Sequence, residues 1–228
     1  TIRLDFNGEN ELAAIMIMGF LINEKDKYLS IAEAYDEVAQ KVSEVLSLHP
    51  EFVGKRALVS YNNLTIYSDK GAQGWMPKKI GLVNAWTYDS SKDDKEYVNA
   101  KNGDSEWYLN ERFACDYIIA FSNFTYSKDA SADNILSQMN QYFQKLEAFP
   151  EKTILFNSSI PQLAKTAYML EGLFPEDVGV GYGNKVLQDY LNEFNPSFGS
   201  TYDVSKDGLF LVTSEEIKTY VESHPLSS

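Results

Sequence analysis

Asp116-Tyr-Ile-Ile-Ala-Phe121, a helical stretch reaching about Phe149, Lys152-Thr-Ile-Leu-Phe156 and then Ile160-Pro-Gln-Leu-Ala-Lys-Thr-Ala-Tyr-Met-Leu-Glu-Gly-Leu-Phe-Pro175 decide the fold class of this chain. Two short apolar strands are separated by a helical crossover and followed, after a polar turn, by a further helix. Parallel strands need long connections, and this cadence supplies them. The expected class is therefore α/β, a parallel-sheet lobe with flanking helices. Such sheets hold ligands at the carboxyl ends of their strands, so a site is expected just beyond these runs.

Working outward, Arg56-Ala-Leu-Val-Ser-Tyr61 reads as another compact strand, followed by Asn62-Asn63 and a second run, Leu64-Thr-Ile-Tyr67. Before it lies a helix expected to open with Ser30 as N-cap and Glu33 three residues on. Its apolar residues Ile31, Tyr35, Val38, Val42 and Val45 recur at helical spacing, and Pro50 stops it. From Ser30 to Leu48 it would reach about 27 Å, enough to bridge two lobes. An apolar helix is expected from about Glu9 to Ile22. Ile2-Arg-Leu-Asp-Phe6 alternates like a strand but has no evident partner nearby. Downstream, a short helix is expected over Lys78 to Val83, an exposed loop from Ser90 to Asp104, and helices over Glu106 to Phe113 and Ala132 to Leu146. Asn184 to Phe194 adds another helix. A strand (Leu209 to Val212) and a helix (Ser214 to Val221) close the pattern.

Composition narrows the function. With 228 residues, 44% hydrophobic and 23% charged, the chain is long enough for a sizeable core, as one domain or one and a half. A formal charge of −13 argues against nucleic acid and against anionic membrane surfaces. The single cysteine, Cys115, rules out an internal disulfide and a cysteine metal cluster, and its place beside an apolar strand predicts an inert thiol. His49 and His224 lie far apart, so a dedicated zinc site is not expected. No window approaches the length of a membrane span. The chain opens on Thr1 rather than Met, which suggests removal of a signal peptide, an anchor or a larger upstream segment. Asn63-Leu-Thr, Asn123-Phe-Thr and Asn157-Ser-Ser have the form of glycosylation sequons, weak signs of export.

Catalytic signatures are thin. Val178-Gly-Val-Gly-Tyr-Gly183 follows a helix and a proline, whereas a nucleotide cradle needs its glycines between strand and helix. Gly71-Ala-Gln-Gly74 has the wrong spacing for a phosphate loop, and no Gly-x-Ser-x-Gly elbow occurs. Asp93-Asp94, Glu176-Asp177 and Glu215-Glu216 read as solvated charges. No nucleophile has a convincing base, so no catalytic residue, cofactor or metal ligand is expected. One region stands higher: Tyr61, Tyr67, Trp75, Met76 and Trp86, with Gly71 and Gly74 between them, follow the end of the Arg56 strand. Aromatic walls on flexible backbone suit a flat, partly apolar ligand. The same residues would equally make a core cluster beneath a loop.

At this point several stretches resemble, in order, the periplasmic binding proteins for iron chelates, haem and cobalamin that feed ABC importers. Met18-Gly-Phe-Leu21 is similar to the family's element before its backbone helix. Lys55-Arg-Ala-Leu-Val-Ser60 is similar to the first strand of its second lobe, and Lys79-Ile-Gly-Leu-Val-Asn84-Ala to its Gly-Gly-x-Asn element. Glu106 to Ile119 resembles the Glu-bearing helix and following strand, with Cys115 in the usual proline position. Thr153 to Asn157 and Leu163 to Glu176 resemble the closing strand and helix.

The resemblance spans about residues 10–195 and implies a bilobal binding protein whose first lobe is largely missing. It implies residues 1–29 as the tail of a first lobe and an entry helix, 30–50 as the connecting backbone helix, 51–195 as the second α/β lobe, and 196–228 as an extension packed on it. It further implies that the loop carrying Tyr67, Trp75 and Met76 faces an interlobe cleft, and that Glu106, with Glu111 as its rival, meets arginines on the permease. The expected function is extracytoplasmic capture of an iron chelate or tetrapyrrole and delivery to an ABC importer, without catalysis, the membrane being reached only through a removed N-terminal anchor. The alternative is a sensory or protein-interaction module of the same fold.

Overall fold

The computed structural model describes residues 4, 9–61, 65–99, 111–122, 131–137, 146 and 148–224. Two helices come first, α1 (Glu11–Leu21) and α2 (Lys25–Leu48). The long helix starts five residues before Ser30. Ser30 is no cap: its hydroxyl donates to the Asp26 carbonyl inside the helix, a back-bond open to any mid-helix serine. With 24 residues the helix reaches about 36 Å. Its buried residues Ile31, Val38, Val42 and Val45 form the predicted stripe.

The sheet is built from β1 (Arg56–Tyr61), β2 (Thr65–Tyr67), β3 (Val83–Asn84), β4 (Tyr97–Asn99), β5 (Tyr117–Ser122), β6 (Thr153–Asn157) and β7 (Leu211–Val212), in the order β4-β2-β1-β5-β6-β7. The centre, β1-β5-β6, is parallel as expected, while β2, β4 and β7 run antiparallel. β3 pairs with the first two residues of β1, and β2 with its last three, so both share one edge. The Lys78–Val83 helix is instead a 3-10 turn over Met76–Ile80 that ends at Gly81, whose φ of +80° suits glycine. The stretch expected as a loop from Ser90 contains β4.

Side chains alternate across the central strands, as a pleat requires. Ala57, Val59, Ile119, Phe121, Ile154 and Phe156 face one core with Val42, Val45, Tyr168 and Leu187. That face is covered by α2, α4 (Gln162–Leu173) and α6 (Tyr182–Phe194); the short α5 (Pro175–Val178) lies between α4 and α6, and α7 (Pro196–Gly199) follows α6. Leu58, Ile118, Ala120 and Leu155 face the second core with Trp86, Phe113 and Ile217, under α3 (Ala132–Leu136) and α8 (Ser214–Ser223). Residues 196–224 thus contribute a strand and a helix to the same body. Thr213 and Glu216 form a capping box that starts α8.

The expected strand at Ile2–Phe6 and the helix from Glu106 fall largely outside the described residues, as does most of the Ala132–Leu146 helix. Asn63 and Asn123 also lie outside them. Asn157 is fully buried at the end of β6, so that sequon has no accessible amide in the folded chain.

Candidate functional site

β1, β5 and β6 end side by side, and a cleft of about 590 Å³ opens over their carboxyl ends. It is lined by Tyr61 at the end of β1, Tyr67 of β2, Phe121 near the end of β5, and the Ser158–Pro161 turn after β6, with Gln73, Glu11 and Lys165 closing it. This is where a parallel sheet brings ligands together. Alternation explains the aromatic wall: Tyr61 and Phe121 are cross-strand partners on one face, and Tyr67 opposite Val59 shares that face. The Phe121 ring lies 5.5 Å from Tyr61, edge to face, and 5.8 Å from Tyr67, stacked.

The loop from Ser68 to Trp75 supplies Ala72 and Gln73 to the rim. It is held by Asn84, whose amide donates to the carbonyls of Tyr67 (3.1 Å) and Gly74 (2.9 Å). Gly74 is required there, because a Cβ would sit 1.6 Å from the Ser68 carbonyl oxygen. Trp75 is half-buried beside this rim, its indole donating to the Ala72 carbonyl.

Two expected ligand residues stand elsewhere. Met76 is 1% exposed and belongs to the α2/α4 core. Trp86 is 2% exposed in the opposite core; its indole donates to Asp93, its ring meets Phe113 edge to face, and the Arg112 guanidinium lies 4.5 Å above it. Neither offers surface to a ligand. Asp93, expected to be solvated, is tied into this cluster by Trp86, Arg112 and the Asp89 amide. Hydrogen bonds from the Asp89 amide and the Trp86 indole, with the Arg112 charge, hold its carboxyl below the usual range. Asp177, likewise expected to be solvated, meets the His49 ring nitrogen at 2.8 Å. Glu111 is exposed but lies by Arg56, at the amino-terminal edge of the sheet, opposite the cleft. Glu106 lies outside the described residues. Burial pushes the Cys115 thiol up to about 11, which suits an inert thiol. Among the described residues, no three His, Cys, Asp or Glu side chains converge on a metal site.

Phe121, Lys165 and Glu11 complete the cleft and were not anticipated. Phe121 could have been found, because it nearly ends a predicted parallel strand. Lys165 also left a signal, a lone cation in the apolar run Leu163-Ala-Lys-Thr-Ala167. Nothing ties Glu11 to residues 150 positions away.

Lys165 is 3% exposed and Glu11 9%. Glu11 Oε2 accepts the Tyr35 hydroxyl at 2.8 Å and the Gln162 amide at 2.9 Å. Desolvation raises the Glu11 carboxyl above its ordinary value and lowers the Lys165 ammonium below its own. For Lys165, the unfolded chain holds its proton to higher pH than the folded one. Its burden on stability is therefore absent above the unfolded pKa near 10.5 and grows as pH falls through the depressed folded value. Lys165→Met is expected to be at least as resistant to urea as the parent at pH 7, with the difference closing as pH nears 10.5. A lower midpoint at neutral pH would show the ammonium to be a structural support.

A groove of about 610 Å³ also runs along the flank between α2 and α6, lined by Glu33, Glu37, Asp189 and Glu193 among others. No strand end reaches it.

No protein-family profile matches the chain, and no curated protein matches it in sequence. Solved structures do match. A TroA-like periplasmic binding protein, FepB from Veillonella parvula, superposes with a TM-score of 0.64 at 14% identity over 93% of this chain. The chain has the TroA-like fold. The molybdate periplasmic binding protein MolA of Haemophilus influenzae, solved with molybdate, matches with a TM-score of 0.56 at 13% identity over 81% of the chain. An ABC transporter solute binding protein from Sulfurospirillum deleyianum matches with 0.51 at 11% over 94%. This chain spans 64%, 55% and 62% of the length of those three proteins.

Proposed function

We propose that the cleft at the carboxyl ends of β1, β5 and β6 binds an iron chelate or tetrapyrrole, and that the chain works outside the cytoplasm as the solute-binding component of an ABC importer. One observation carries this reading: a roomy cleft walled by Tyr61, Tyr67 and Phe121, at the strand ends of a sheet shared with solute-binding proteins. Stacked and edge-on rings suit a conjugated ligand face, and phenol hydroxyls suit its oxygen donors. Binding is non-covalent, and no residue of the cleft is assigned a catalytic step.

The partial coverage of the matched proteins supports an additional lobe facing the cleft. So does an apolar end of α1, where Ile17, Phe20, Leu21 and Ile22 are exposed, Phe20 by 81%. Contiguous exposed apolar surface of this kind calls for a covering partner. In this reading residues 1–29 lead out of that lobe, α2 connects, 51–195 form the second lobe, and the cleft closes over the ligand before docking on the permease. An acidic surface registers and steers such a docking partner. Glu111 is exposed enough for that role, though on the edge remote from the cleft. No described helix is long and apolar enough to cross a membrane.

Tryptophan fluorescence, corrected for absorbing ligands, tests the cleft. Saturable quenching by a ferric chelate or haem is expected, with Tyr67→Ala weakening it about 10-fold, the worth of one lost aromatic contact. Absence of saturation with every ligand would leave the interaction-module alternative standing.

A further inference from the structure

Lys165 is a cation nearly sealed from solvent, yet its ammonium forms no hydrogen bond or ion pair among the described residues. The structure keeps it there at a cost, since a buried charge is stable only when paired. Among the described residues Glu11 is the one carboxylate lining the same cleft; its charge favours the ammonium, but its Oε2 is taken by Tyr35 and Gln162 and it forms no ion pair with Lys165. The hydroxyls of Tyr61 and Tyr67 are likewise without partners among the described residues. The cleft lining therefore includes three donors that no described residue engages in a hydrogen bond. On the loop side the Gln73 side-chain oxygen is buried and unpartnered, and invites a single donor.

We propose that Lys165 determines specificity by taking an anionic oxygen of the ligand, a catecholate or carboxylate borne on a conjugated ring system, with the Tyr61 and Tyr67 hydroxyls donating beside it. The inference rests on the cleft being the ligand site. A buried ammonium rewards a full negative charge far more than a neutral oxygen, because the charge-assisted bond is the stronger and Lys165 makes no hydrogen bond or ion pair among the described residues, Glu11 acting on it only through its charge. A neutral chelate of the same size fills the same space and leaves the lysine unpaired. The ligand class is thus an anionic chelate or an anionic tetrapyrrole, not a neutral one.

The 228-residue chain and its Lys165→Met and Lys165→Arg variants are titrated with a ferric tris-catecholate, with hemin, and with a neutral ferric tris-hydroxamate. The parent is expected to bind an anionic probe at least about 10-fold more tightly than the hydroxamate. Lys165→Met should lose about that factor for the anionic probe alone, and Lys165→Arg should keep most of it. A response to the catecholate but not hemin assigns a chelate, and the reverse assigns a tetrapyrrole; either supports the inference if it depends on Lys165. Equal affinity for the neutral probe, or an unaffected Lys165→Met, overturns the anion assignment while the cleft reading stands. Failure of all three probes to bind overturns both. The preference of the parent needs no variant, so a misfolded substitution does not blunt the test.

Discussion

Trp86→Ala is expected to lower the unfolding free energy by about 3–5 kcal/mol, the range for emptying a large aromatic site in a packed core. Trp86 is 2% exposed and ringed by Phe113, Arg112 and Asp93. The substitution deletes the indole N–H that Asp93 accepts and the ring over which the Arg112 guanidinium lies, so two polar partners are disturbed along with the cavity. Urea denaturation read by circular dichroism measures the loss. Binding per folded molecule should stay within about twofold, since the residue lies in the core across the sheet from the aromatic wall. A large fall in affinity with unchanged stability would restore Trp86 to the ligand site.

Glu171→Ala should be nearly as damaging, by about 2–4 kcal/mol. Glu171 is 8% exposed and its two oxygens accept the Gly181 amide at 2.7 Å and the Gly183 amide at 2.8 Å, at the first turn of α6. Removing it strands two backbone donors that it holds, and withdraws a negative charge from a helix N-terminus. Gly183 packs against the Tyr168 ring, which a Cβ would meet at 2.1 Å, so α6 cannot shift inward to compensate. Glu171→Gln keeps one acceptor oxygen and should fall between parent and alanine. Equal stability of all three would mean that the turn finds other acceptors.

Much of this architecture was readable from residue order, for reasons that differ by element. β1, β5 and β6 announced themselves because strands buried on both faces are uninterrupted apolar runs. β7 was visible as a strand, but nothing in Leu211-Val212 says that it runs antiparallel, since direction depends on how the chain returns. The start of α2 was misjudged because Ser30 with Glu33 imitates a cap inside a polar helix that begins at Lys25. In the cleft, Tyr61 and Tyr67 were legible as aromatic residues at a strand end. Met76 and Trp86 gave the same signal from the core, because large apolar side chains serve both places. Lys165 and Glu11 come to line one cleft through the packing of α1 on α2 and the bond from the Gln162 amide, at the start of α4, to Glu11, which no local pattern encodes.

The edges of the sheet carry a consequence for behaviour in solution. Among the described residues its outermost strands, β4 and β7, are three and two residues long, and both run antiparallel to their neighbours. The long apolar strands that could template cross-molecular pairing are enclosed between them. Edges this short give an incoming chain too few free amides and carbonyls to add on. Concentrated samples should therefore resist fibril growth through the sheet, and any clumping should begin at the bare apolar tip of α1.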